Sequence, residues 1–114
     1  MNSEQFVDTL RMVVRDSAVS EELAVLQGPP GRRPAPAILR RSKWYLSLPI
    51  EQRELLSSII GDVADRAVFG VLCVLDGSRA IEDGENKGRL ELRYIKGEAT
   101  ILNPEEGPAL HEMW

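Results

Sequence analysis

The chain of 114 residues is poor in the residues that most often carry chemistry. It has one cysteine, Cys73, and one histidine, His111. A single thiol rules out an internal disulfide and fits a reducing, cytoplasmic setting. A lone histidine cannot build a zinc site of the usual nitrogen and sulfur type. The longest apolar run, Ala67–Leu75, falls far short of the roughly 20 residues a membrane span needs, so no membrane association is expected. The opening MNSEQFVDTL lacks the basic start and apolar core of a secretory signal. Gly28-Pro-Pro-Gly31 has prolines where a phosphate cradle needs backbone donors, and no Gly-Lys-Ser/Thr follows it. Ser57 and Ser58 lie outside any Gly-x-Ser-x-Gly elbow.

What is present is a domain-sized chain with 43% apolar and 28% charged residues, well above the apolar content of a disordered segment. Its length fits one domain spanning 1–114. The formal net charge is −4, but the charge is unevenly spread. Residues 28–49 carry Arg32, Arg33, Arg40, Arg41 and Lys43 and no acid, whereas every flanking segment is net acidic.

Phe6, Leu10, Val13 and Val14 recur at i, i+4, i+7 and i+8, predicting a helix over Ser3–Ser17 with Ser3 as its N-cap. A second short helix is expected to start at Ser20 and stop at Gly28. GPPGRRPAP at 28–36 must be an exposed loop, because four prolines remove backbone donors. Pro36 suits the first turn of a helix continuing to Leu48, with Trp44 and Tyr45 expected as anchors on the domain.

From Pro49 to Asp76 the pairs Leu55/Leu56, Ile59/Ile60, Val63/Ala64, Ala67/Val68 and Val71/Leu72 recur every four residues. At about 100° per residue this stripe rotates about 40° at each step. The first half keeps Ser58, Asp62, Asp65 and Arg66 on a wet side. In the second half Phe69 and Cys73 fill that sector, so Ala67–Leu75 is expected to be buried all round. The β-branched content of Val68–Leu75 also allows a strand. No turn signal interrupts the helical pattern, which favours the helix. Gly77 suits a left-handed C-cap.

Residues 78–88 are polar and form a second loop. RLELRYIKGEATILN then alternates on both sides of Lys96-Gly97, predicting a hairpin of strands 89–95 and 98–103. A two-residue turn pairs Tyr94 with Ala99 and Leu92 with Ile101, giving a Leu92/Tyr94/Ile101 face to lie on helices. Leu110, Met113 and Trp114 offer a last packing segment. The expected fold is therefore α+β: three to four helices around a long central helix (49–76), with a C-terminal antiparallel β-hairpin.

Chemistry is sparse. Cys73 lies in the apolar run, where burial keeps a thiol inert, and a Cys73–His111 dyad would need the tail to reach the core. Asp83–Gly88 has acids at calcium-loop positions one and three, but Lys87 and Tyr94 stand where positions five and twelve need oxygen ligands. No metal, cofactor or catalytic residue follows from the sequence. Asp62 and Asp65 with Arg66 share one helical turn, where an Asp62–Arg66 ion pair is the ordinary reading. Together with His111 they are the only basis for a small carboxylate-dependent hydrolase, the enzymatic alternative.

The cationic connector carries the main expectation. Arg32, Arg33, Arg40, Arg41, Lys43, Trp44 and Tyr45 combine the residue types that dominate protein interfaces. They suggest a non-catalytic interaction module, of the kind small bacterial proteins use in immunity, adaptor or regulatory roles, with an acidic protein partner. A second copy of the chain is a further candidate, through the hairpin edges, and the acidic loop Glu82–Glu85 is a second candidate surface. Nucleic acid, through the same cations and aromatics, is disfavoured by the acidic total. The competing explanation is internal: the connector neutralises acidic faces of its own domain.

Overall fold

The computed structural model describes residues 1–114. A first helix is continuous from Ser3 to Gln27 but changes geometry inside. It begins as α1 (Ser3–Leu10), widens to a π-helical segment (Arg11–Asp16) and returns to α2 (Ser17–Gln27). The N-cap is Asn2 and not Ser3. Its side chain accepts from the Gln5 amide at 2.8 Å while Gln5 Oε1 accepts from the Asn2 amide at 3.0 Å, a reciprocal capping box. Ser20 does not cap a second helix; its hydroxyl donates to the Ser17 carbonyl at 3.2 Å from within a helix already under way.

The proline-rich stretch leads into α3 (Pro36–Ser47), which opens on Pro36 as expected and packs back on α2. Ser42 is buried there and donates to the Leu26 carbonyl at 2.8 Å. A short turn then enters α4 (Ile50–Leu75), unbroken through Gly61 and Gly70. Helix therefore wins over strand at Val68–Leu75. Arg53 secures the α3–α4 corner: Nε donates to Leu48 O at 3.0 Å, Nη2 to Leu46 O at 2.7 Å, and the guanidinium lies 5.4 Å from the Tyr45 ring centre. Gly77, at φ +83°, ends the helix beyond Asp76.

The C-terminal part is an antiparallel pair, β1 (Arg93–Lys96) and β2 (Glu98–Ile101), followed by a 3₁₀ turn (Leu110–Met113). The fold is α+β, with a long helix and a C-terminal hairpin as expected. The hairpin register is not the expected one. Lys96 pairs with Glu98, Tyr94 with Thr100 and Arg93 with Ile101. The connection is a three-residue Lys96-Gly97-Glu98 turn, with Gly97 at φ +71°. A one-residue slip exchanges faces. Leu92, Tyr94 and Leu102 therefore face inward, Leu102 being buried, while Ile95 and Ile101 point out, Ile95 at 72% exposure. The gain from sinking Leu102 accounts for the choice.

The ladder is also shorter than 89–95 against 98–103, because the buried Asn103 side chain takes over its end. Asn103 Oδ1 accepts from the Leu92 amide at 2.8 Å, and Nδ2 donates to Leu90 O at 2.9 Å and Leu75 O at 2.6 Å. One amide thus ties both hairpin arms to the end of α4.

Burial on α4 is one-sided. The fully buried cluster is Val7 of α1, Leu72 of α4 and Leu110 of the 3₁₀ turn, flanked by Phe6, Leu10, Val68, Leu75, Met113 and Trp114. The expectation that Ala67–Leu75 is covered all round is overturned: Ala67 is exposed and Val71 is 56% exposed. α1 and the tail cover one flank; on the other the Arg79 guanidinium reaches over the buried Gly70, while Ala67 and Val71 stay open. Cys73 is on the covered flank and is buried.

Replacing Asn103 with alanine leaves Leu75 O, Leu90 O and the Leu92 amide without their partner, at a cost of about 3 kcal/mol. Urea unfolding measures this; a loss below about 0.5 kcal/mol would show that the amide does not hold the hairpin to α4.

Candidate functional site

Helix α3 buries only the Ile38, Ser42 and Tyr45 side, which lies against α2. Arg40, Lys43 and Trp44 stand at i, i+3 and i+4 and therefore share the opposite side, with Arg41 beside them. All four are exposed, Trp44 at 52%. Arg32 and Arg33 are exposed in the preceding connector. Trp44 is thus not an anchor on the domain, whereas Tyr45 is: it is 4% exposed and supports the face from behind.

The ion pairs of the chain involve Arg15, Arg89, Arg93 and His111 as cations. None involves Arg32, Arg33, Arg40, Arg41 or Lys43. The connector does not neutralise acidic faces of its own domain. Five cations and an indole are left directed at solvent.

The residues considered for acid–base work do not converge. Asp62 is exposed and makes no ion pair with Arg66. Asp65 accepts from Trp114 Nε1 at 3.1 Å and lies 3.7 Å from Arg15 Nε. The Arg11 guanidinium stacks 4.5 Å from the Trp114 ring centre and donates to its main-chain oxygen at 2.7 Å. Asp65 therefore helps to fasten the tail.

His111 pairs instead with Asp76, which sequence spacing did not suggest because 35 residues separate them. Its Nδ1 lies 2.6 Å from Asp76 Oδ2, and the same oxygen accepts from the His111 amide at 3.0 Å. The Ser78 hydroxyl donates to Asp76 Oδ1 at 2.6 Å and is 3.2 Å from His111 Nδ1. The trio has the composition of a hydrolase triad but not its geometry. Serine and aspartate meet the same ring nitrogen, so no second nitrogen is aimed at the hydroxyl to take its proton. Its work is structural: Asp76 gathers the donors that hold the 3₁₀ turn on the end of α4. A cleft of ≈ 300 Å³ opens beside it, lined by Leu75, Arg79, Ile81, Arg89 and Leu90 among others. The acidic loop Glu82–Glu85 is exposed, with Glu82 Oε1 accepting from the Gly88 amide.

No protein-family model, curated protein or solved structure matches the chain.

Burial opposes ionisation of Asp76, whose side chain is 5% exposed, but hydrogen bonds from Ser78 and His111 outweigh it and lower its pKa from 3.8 to about 2. A carboxylate with a depressed folded pKa stabilises fully above its unfolded pKa and loses that contribution as pH falls through the folded one. Here the window runs from about pH 4 down to about pH 2, and the contribution at neutral pH is about 2 kcal/mol. Asp76→Asn is expected to cost that amount at pH 7, with the gap to wild type closing by pH 2 in chemical denaturation. A gap independent of pH would refute the ionic role.

Proposed function

We propose that the chain is a non-catalytic protein-interaction module whose partner presents an acidic surface. The observation that carries this reading is the outward set Arg40, Lys43 and Trp44 on α3, joined by Arg41, Arg32 and Arg33, with no internal ion pair among the cations. Arginine and tryptophan are the residue types most enriched at interface hot spots. The patch has net charge +5 on a body that is otherwise net acidic. That polarity attracts an acidic protein to one face and repels it elsewhere, fixing orientation and speeding encounter. The same acidic body works against a polyphosphate strand, which would have to lie along it. A cytoplasmic setting goes with this reading, as does self-association into a homodimer, for which the supporting surface is on α4.

Affinity capture with the wild-type chain and with Arg32→Glu/Arg33→Glu/Arg40→Glu/Arg41→Glu tests the face directly. Acidic proteins recovered by the wild type are expected to be lost or weakened at least tenfold with the variant. Recovery of the same proteins by both baits would mean the connector is not the interface. Trp44 emission, read in a Trp114→Phe background, during titration with oligothymidylate separates the nucleic-acid alternative. Binding that weakens steeply as salt rises would favour that alternative; a flat response would count against it.

A further inference from the structure

Helix α4 carries a second surface, separate from the cationic face. Leu55, Ile59, Val63, Ala67 and Val71 follow one another at spacings of four. All are solvent-facing, with Leu55 at 65%, Ile59 and Val63 at 59% and Val71 at 56% exposure. They make one inclined ridge, about 24 Å long at 1.5 Å per residue, that winds about 160° around the helix from Leu55 to Val71. Single exposed apolar residues are ordinary on a protein surface, but an unbroken row of them over the length of a helix is not.

The chain also exposes more surface than a compact monomer of its mass. Only eleven residues of the chain are buried, and the accessible area is 8468 Å². A monomer of this mass, 12.7 kDa, ordinarily exposes about 6,200 Å². The radius of gyration is 18.6 Å, against about 13 Å for a compact domain of this length. The excess of about 2,200 Å² per chain is shared between the open flank of α4 and the exposed connector and loops, and a dimer interface needs about 800 Å² per partner of it.

We infer that the α4 ridge is the interface between two copies of this chain. The ridge fits its own copy. Rows at i±4n pack into the grooves between such rows on a second helix, at a crossing of about −50°, the commonest arrangement of packed helices. A two-fold axis requires the same patch on both sides, and this row is centred on Val63. With the axis beside Val63 and the helices antiparallel, the two rows lie side by side, each in the other's groove, with Ile59 of each copy next to Ala67 of the other, large beside small. Leu55 and Val71 close the two ends.

The charges flanking the ridge agree. Asp62 and Arg66 lie three residues beyond Ile59 and Val63, on one side of the row. Both are exposed, and neither forms an ion pair within the chain. With the axis beside Val63, Arg66 of one copy faces position 60 of the other, two residues (about 3 Å along the helix) from Asp62 and within reach of its flexible side chain, twice per dimer. A parallel arrangement brings no such match. The inference rests on the self-association part of the proposed function and does not depend on the acidic partner.

Sedimentation equilibrium of the wild-type chain is expected to give about 25 kDa, twice the mass of one chain, down to micromolar concentration. Val63→Glu is expected to weaken association at least 100-fold while helical circular dichroism is retained. Because that variant could fail to fold, Val63→Cys in a Cys73→Ala background provides a milder test. On oxidation it should form a disulfide-linked dimer, and Ile95→Cys should not. Asp62→Arg or Arg66→Asp alone should weaken the dimer about tenfold, and the double exchange should restore it to within about threefold. A monomer at 100 µM, trapping through Ile95→Cys in place of Val63→Cys, or a charge exchange without rescue would overturn the inference. Capture of acidic proteins through α3 would be unaffected by any of these results, so failure here is distinguishable from failure of the partner reading.

Discussion

The contact of Val7, Leu72 and Leu110 is the constraint on which the rest of the molecule depends. It joins the first helix, the long fourth helix and the last turn, three segments spread across the whole length of the chain. Around it Phe6, Leu10, Val68, Leu75, Met113 and Trp114 form a modest shell. A second, smaller buried group, Leu26, Ser42 and Tyr45, holds α3 on α2. The hydrophobic contribution to stability is therefore concentrated at one end of α4, and everything farther along that helix is held by one-sided packing. This explains the molecule's elongation, 50 × 37 × 27 Å, better than any single helix length does.

Because the core is small, polar side chains carry an unusual share of the tertiary structure. Asn103 completes the backbone pairing that the short strands leave unfinished. Asp76 collects four hydrogen bonds at the same, C-terminal end of α4, and Asp65 and Arg11 hold Trp114, with Arg15 beside Asp65. Such groups are strongly directional, so they fix where the hairpin and tail sit, and removing one strands several buried partners at once. His111 and Asp76 together would suggest catalysis from composition alone. Their hydrogen bonding shows a side chain recruited to hold a turn.

The exposed surfaces divide by chemistry. The outer side of α3 is cationic with one large aromatic, suited to electrostatic capture of an acidic protein. The open side of α4 is aliphatic and continuous, suited to permanent burial. A protein that associates with itself through the second and with a partner through the first would present its cationic face twice, so that paired binding gains effective concentration without any new contact.

Local pattern determined much of this. The start of α3 at Pro36, the long unbroken α4, the glycine that ends it and the existence of a hairpin all follow from propensity and periodicity within short windows of sequence. Cys73 is buried as expected, but because α1 and the tail cover its flank and not because the run is covered all round. The exposure of the five cations was decided only when the structure gave them no internal ion pair. What local pattern cannot carry is which side of an element finds a partner. A drifting apolar stripe on α4 says that more than one flank is greasy; it does not say that only one flank is covered. Alternation around Lys96-Gly97 allows two registers, and the burial of Leu102 chose between them. Trp44 and Tyr45 are adjacent and chemically alike, yet α2 reaches one and not the other. Asp76 and His111 met only because the tail returned to the end of α4. Each of these was decided by tertiary structure, since burial and long-range hydrogen bonds depend on segments that the local sequence does not contain.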